Sequence, residues 1–231
     1  MTTPSRPVYR FFKRTLDLFY TLLLLPLLGP VMLVVWVLVR VKMGRPALFQ
    51  QVRPGLHARP FVLHKFRSMI DSNDPDGNPL PDKDRITSFG RLLRRSSLDE
   101  LPQLWNVLKG EMSFVGPRPL LMEYVPRYTP EQRRRLDVKP GITGLAQIAG
   151  RNTLGWEDRL KLDVEYVDQA SLGLDFMILL RTVKKVLRAE GVPSAGLDPN
   201  GKFQGTRTDN AKSASGRVPD LPVDVHRMPP V

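Results

Sequence analysis

The stretch Leu18-Phe19-Tyr20-Thr21-Leu22-Leu23-Leu24-Leu25-Pro26-Leu27-Leu28-Gly29-Pro30-Val31-Met32-Leu33-Val34-Val35-Trp36-Val37-Leu38-Val39 runs for 22 residues without one charged side chain. A straight helix of that length rises about 33 Å, enough to cross a hydrocarbon core of roughly 30 Å. As a secretory leader it is too long, and no small-residue cleavage site closes it. Pro26 and the pair Gly29-Pro30 sit mid-run, where proline removes a helix hydrogen bond. Arg6, Arg10, Lys13 and Arg14 precede the run, and Arg40, Lys42, Arg45 and Arg53 follow it. Cytoplasmic flanks retain positive charge, so both ends read as cytoplasmic. A helix–break–helix that enters one leaflet and returns, broken at Gly29 and Pro30, meets both observations. An ordinary single-pass anchor with a proline kink is the competing reading.

Elsewhere the chain is polar, and its mean hydropathy is only −0.22. The 231 residues suffice for one good core. With no cysteine, disulfides and thiolate metal sites are excluded. A net charge of +12 calls for a polyanionic partner: nucleic acid, an anionic membrane surface or a phosphate-bearing substrate.

Residues 1–17 read as a short basic helix leading into the apolar run. Ala47–Arg53 and Pro60–Met69, separated by Pro54-Gly55-Leu56-His57, read as a β-hairpin, since Phe61 to Phe66 alternate. Asp71 to Asp84 is a solvated loop. A calcium loop aligned on Gly77 would place Ser72 first and Lys83 twelfth, where carboxylates are required. Helices are predicted over about Arg85–Arg95, Leu98–Lys109 and Trp156–Gln169. Between Asp175 and Arg188, Phe176, Leu179, Leu180, Val183 and Leu187 keep helical spacing beside Arg181, Lys184, Lys185 and Arg188. That pattern fits a helix in the headgroup region, and equally a surface helix packed on the core. From Gly191 onward Gly, Pro, Ser and Asp dominate, and a largely disordered tail is predicted. The expected class is mainly α with a small β-hairpin. Its parts are a membrane segment over 1–45, a compact folded domain over 46–190 and a tail over 191–231.

Arg94-Arg95-Ser96-Ser97-Leu98-Asp99-Glu100-Leu101-Pro102 is the densest candidate for chemistry. Ser97 with Glu100 three residues later fits a capping box, which would make Asp99 and Glu100 first-turn residues of a helix. The same carboxylates beside arginines also fit a nucleophile and a Mg²⁺ ligand. Downstream, Pro117 and Pro119 flank Arg118 and could present it to a phosphate. Lys139-Pro140-Gly141-Ile142-Thr143-Gly144 is a glycine turn of weak phosphate-binding character, followed by Gln147 and Arg151.

In one order the chain carries Lys65-Phe66-Arg67-Ser68-Met69, Leu98-Asp99-Glu100-Leu101-Pro102-Gln103-Leu104, Gly116-Pro117-Arg118-Pro119 and Pro140-Gly141-Ile142-Thr143-Gly144. This set closely resembles the bacterial sugar transferase family, the monotopic phosphoglycosyl transferases. The similarity runs from about Tyr9 to Arg188, with a further stretch of likeness at Lys202-Phe203-Gln204-Gly205. The compact length is most similar to the small members that transfer N,N′-diacetylbacillosamine 1-phosphate to undecaprenyl phosphate.

The resemblance implies that Asp99 attacks the sugar-bearing phosphorus of a UDP-sugar, releasing UMP and leaving a phosphosugar-aspartyl intermediate. Undecaprenyl phosphate, or another polyprenol phosphate, then displaces Asp99. Glu100, with Asp99, would hold Mg²⁺, and Lys65, Arg94, Arg118 and Arg151 would surround the phosphates. Pro30 would break the re-entrant helix, although Gly29 stands where small members often carry serine. The implied location is the bacterial inner membrane, with the catalytic domain on the cytoplasmic face. Galactose or glucose 1-phosphate transfer for exopolysaccharide is the alternative within the family. A membrane-tethered polyanion-binding protein without catalysis is the alternative outside it. Nucleic acid is not an expected partner, because no base-reading module is present.

Overall fold

In a computed structural model of the chain, the apolar run lies inside one long helix, α1 (Pro7–Met43). Residues 7–72, 74, 76–78, 80–150, 154–188 and 201–206 are described. The predicted short basic helix belongs to α1, and so does the predicted break: Pro26 and Pro30 both lie within the helix. Backbone groups have no water to turn to in apolar surroundings, which favours keeping the remaining helix bonds past two prolines.

One face of α1 carries nearly all its protein contacts. Asp17 and Thr21, and again Val35, Val39 and Met43, are buried at four-residue spacing, and the 14-residue step from Thr21 to Val35 is about four turns, which puts all five near one stripe. Leu22, Leu23, Leu27, Leu33, Val34 and Val37, on the remaining faces, are exposed. By length and composition α1 can cross a membrane, and only 11% of its most apolar window is buried. It is a membrane-associated helix.

Both ends of α1 dock on the same domain. Near the N-terminal end, Arg14 donates to the carbonyls of Val107 (2.6 Å) and Leu108 (2.8 Å). These lie in the last turn of α4 (Gln103–Lys109), where carbonyls lack helical partners and a cation is favoured. Asp17 accepts from Ser113 Oγ (3.0 Å) and Phe114 N (3.1 Å). Lys13 pairs with Asp175 at 2.7 Å, and Tyr9 donates to the same carboxylate at 2.9 Å. At the other end, Val35, Val39 and Met43 pack with Ala47, Phe66 and Leu93.

The predicted hairpin is present as β1 (Leu48–Pro54) and β2 (Pro60–Phe66), antiparallel, with Phe49 opposite Lys65 and Arg53 opposite Phe61. The short α2 (Asp82–Arg85) precedes α3 (Ser88–Ser96), which starts where Thr87 Oγ1 accepts from Gly90 N at 2.9 Å. A Cβ at Gly90 would overlap the Ser68 carbonyl oxygen, so glycine lets α3 lie directly on the segment after β2. A second sheet was not predicted. β3 (Ser113–Val115) pairs in parallel with β4 (Gly141–Thr143). The short α5 (Pro130–Arg133) lies between them in sequence, and α6 (Leu145–Ala149) follows. The predicted helices near the C-terminus are α7 (Trp156–Gln169) and α8 (Leu172–Leu187).

Two expectations are corrected. The predicted helix Leu98–Lys109 is a 3-10 turn, Leu98–Glu100, followed by α4. Ser97 makes no side-chain cap; it ends α3 in a left-handed conformation (φ 57°), so the chain reverses just before Asp99. Starting the helix after Pro102 spares the bond that proline would remove. Within the span of the predicted tail, Phe203 is buried among Tyr124, Tyr128 and Trp156. Burying an aromatic ring outweighs the polar composition around it. The rest of the predicted tail, 191–200 and 207–231, lies outside the described residues.

Candidate active site

Four elements meet at a cleft of about 1340 Å³. The left-handed Ser97 turns the chain so that Asp99 and Glu100 enter from the 3-10 turn after α3. Lys65 reaches in from β2, Arg118 from the Gly116–Pro119 turn after β3, and Leu24 and Leu28 of α1 close one side. The two acids have different surroundings. Glu100 Oε1 accepts from Lys65 Nζ and from Arg118 Nη2, each at 2.7 Å. Among the described residues the buried Asp99 carboxylate accepts no hydrogen bond.

Their protonation follows from this difference. Burial raises Asp99 from 3.8 to about 6, against the pull of Lys65. Burial also opposes the Glu100 charge, yet Arg118 and Lys65 hold its carboxyl well below the usual range. Burial lowers Lys65, and Glu100 restores part of its basicity. Asp99 is therefore an ionised carboxylate at neutral pH with its lone pairs uncommitted, and Glu100 is a fixed anion.

The predicted cluster is brought together apart from one member. Arg94, on α3, donates to Ser68 Oγ at 2.9 Å and faces Asp99 electrostatically. Arg151 lies outside the described residues. Gly29 and Pro30 lie in α1, directly after the cleft-lining Leu28. The glycines of the Pro140–Gly144 motif serve packing, because a Cβ on Gly141 or Gly144 would overlap the Gly116 backbone. This close approach ties the Arg118 turn to β4, with Gly116 N donating to the Thr143 carbonyl (2.9 Å) and Gly141 N to that of Pro117 (3.0 Å).

The residues that hold Arg118 from behind escaped the sequence reading. Arg135 donates to the Arg118 carbonyl (2.7 Å) and binds Asp163 of α7 through Nε (3.0 Å) and Nη2 (2.7 Å). Both ends of that ion pair are buried. Arg135 hides in a run of three arginines. Asp163 left a signal: it shares the buried stripe of α7 with Leu160, Val164 and Val167, where an acid needs a partner.

As cation ligands, Glu100 Oε2 and both Asp99 oxygens have no protein donor among the described residues. No group of three or more metal-ligating side chains occurs among those residues. That donor set fits Mg²⁺, which takes one or two carboxylates and completes its shell with water and substrate phosphate oxygens.

A buried free carboxylate among fixed cations, beside a membrane-associated helix, is an arrangement that can host phosphate chemistry at a membrane surface. The family profile described as bacterial sugar transferase matches residues 8–189, and the chain belongs to that family. It is 53% identical over 194 residues to the uncharacterized sugar transferase EpsL of Bacillus subtilis, covering 84% of this chain and 96% of that protein. It is 41% identical over 199 residues to the undecaprenyl-phosphate galactose phosphotransferase of Salmonella typhimurium, covering 79% of this chain but 42% of that protein. Over 189 residues it is 40% identical to the UDP-glucose:undecaprenyl-phosphate glucose-1-phosphate transferase of Caulobacter vibrioides, 77% of this chain and 70% of that protein.

Proposed function

We propose that the chain transfers a sugar 1-phosphate from a UDP-sugar to undecaprenyl phosphate through Asp99. The observation that carries this is the contrast between the two acids, one buried and unbonded, the other clamped by Lys65 and Arg118. An Asp99 oxygen attacks the sugar-bearing phosphorus, the phosphorus–oxygen bond to UMP breaks, and UMP leaves. The phosphosugar is then an acyl phosphate on Asp99. A phosphate oxygen of the lipid attacks the same phosphorus, the bond to Asp99 breaks, and the carboxylate is restored. Lys65, Arg94 and Arg118 supply fixed positive charge where the phosphates must lie. Asp99 and Glu100 would hold Mg²⁺, which would add charge neutralisation on the phosphates.

In this reading α1 enters one leaflet and returns. Its two ends rest on one domain although a straight helix would separate Asp17 and Val39 by about 33 Å, and both flanks are basic. The cleft then opens at the cytoplasmic surface of the inner membrane, where a soluble UDP-sugar meets a lipid phosphate. N,N′-diacetylbacillosamine or a related N-acetylaminosugar is the proposed cargo, and galactose and glucose, which relatives carry in their names, are the second reading.

The test is UMP release by purified protein with Mg²⁺ and undecaprenyl phosphate, across UDP-galactose, UDP-glucose, UDP-N-acetylgalactosamine and UDP-N,N′-diacetylbacillosamine. One sugar should support release, and Asp99→Asn should abolish it. Full activity in the variant would remove Asp99 as the nucleophile.

A further inference from the structure

Among the described residues, Arg53 is a cation in the cleft with no acid to answer it. It sits on β1, and the antiparallel register puts Phe49 and Lys65, Gln51 and Leu63, and Arg53 and Phe61 on one face of the hairpin. Phe49, Gln51, Arg53, Leu63 and Lys65 all line the cleft. Lys65 stands at the Glu100 end of this face. Arg53 stands four residues along, about 14 Å away at ~3.4 Å per residue. Its guanidinium donates from Nη1 to the Pro119 carbonyl (3.3 Å), beside Arg118, and from Nη2 to Gln51 Oε1. Nε is buried and has no hydrogen-bond partner among the described residues. The nearby charge that acts on it most is that of Arg118, another cation, and burial together with Arg118 pushes Arg53 down to about 10. It therefore stays charged at neutral pH.

A partly buried cation held by neutral acceptors and faced by a like charge is costly to the fold. Arg135 shows the alternative, since burial there is matched by Asp163. The missing anion at Arg53 is best supplied from the cleft. Attacking and leaving oxygens lie roughly in line through the reacting phosphorus. Asp99 and Glu100 lie at the Lys65 end of the hairpin face, and Arg53, at the other end of the same cleft-lining face, is a cation within the cleft for the phosphate that leaves.

We propose that Arg53 binds the phosphate that departs with the nucleotide, the uridylyl phosphate of a UDP-sugar, while Arg118 is shared between that phosphate and the one that reacts. This rests on the reading of the chain as a UDP-sugar-consuming transferase. Arg53 thus holds the leaving group and UMP after it has left. The neutral nucleoside has nothing to offer it.

The test is calorimetric titration of full-length protein in nanodiscs with UMP and with uridine, for wild type, Arg53→Gln and Arg53→Lys. Losing a charge-assisted contact should weaken UMP about 10- to 100-fold in Arg53→Gln, with a smaller loss in Arg53→Lys and uridine binding unchanged. The melting temperature of Arg53→Gln without ligand should equal or exceed that of wild type, because an unanswered charge has gone. Unchanged UMP affinity, or equal weakening of UMP and uridine, would overturn the proposal. UMP binding needs no turnover. If Arg53 governs UMP affinity while no UDP-sugar yields UMP, the transfer reaction fails and the phosphate site stands.

Discussion

Held at about 6 by burial, the Asp99 carboxyl is charged at pH 7.5 and mostly protonated at pH 5. A nucleophile must be ionised, so UMP release should fall about tenfold per pH unit below 6 and level off above 7. A profile flat down to pH 5 would exclude Asp99 as the titrating group. Stability runs the other way. The folded state holds this proton more tightly than the unfolded chain, whose aspartate titrates near 3.8, so stability falls as pH rises from about 4 to 6. The same Asp99→Asn change that ends activity should therefore stabilise the fold at pH 7.5, on the order of 1–3 kcal/mol, and do little at pH 4. Thermal melts at the two pH values check this. The sequence showed two neighbouring acids among arginines but left their roles open, because a serine at 97 gives no sign that the backbone there turns left-handed. Arg53 passed as one more flanking charge, for its meaning depends on which neighbours it lacks.

At the scale of elements, legibility followed period length. Strand β2 alternates in burial from Pro60 to Leu63, and α7 repeats its apolar face through four turns. Strands β3 and β4 have three residues each and pair across a gap of 28 positions, too short for a period and too distant for a turn signal. α8 was legible as a helix with two readings. Phe176, Leu180 and Val183 are more than half exposed beside Arg181 and Lys184, whereas Ile178 faces the core. An exposed apolar stripe edged with basic residues favours the headgroup reading. Replacing Phe176 and Leu180 together by Glu should lower turnover of vesicle-borne undecaprenyl phosphate at least several-fold while leaving the melting temperature and UMP binding unchanged. A drop in melting temperature would instead make them part of the packed core.

For the molecule as a whole, the membrane segment and its basic flanks were visible from the outset, whereas the docking of both its ends was not, since it depends on residues far along the chain. The absence of cysteine makes topology accessible to labelling. Thr3→Cys and Arg45→Cys should react with an impermeant maleimide from the same side of sealed vesicles; opposite sides would mean that α1 crosses. The docking contacts also order events in time. Ser113, which binds Asp17, is 96 residues further along, and Asp175, which binds Lys13, is 162. At ~5–20 residues per second these partners leave the ribosome roughly 5–20 s and 8–32 s after α1. The helix must therefore reach the bilayer with its polar stripe unanswered. The catalytic domain closes onto it only after Asp175 has emerged.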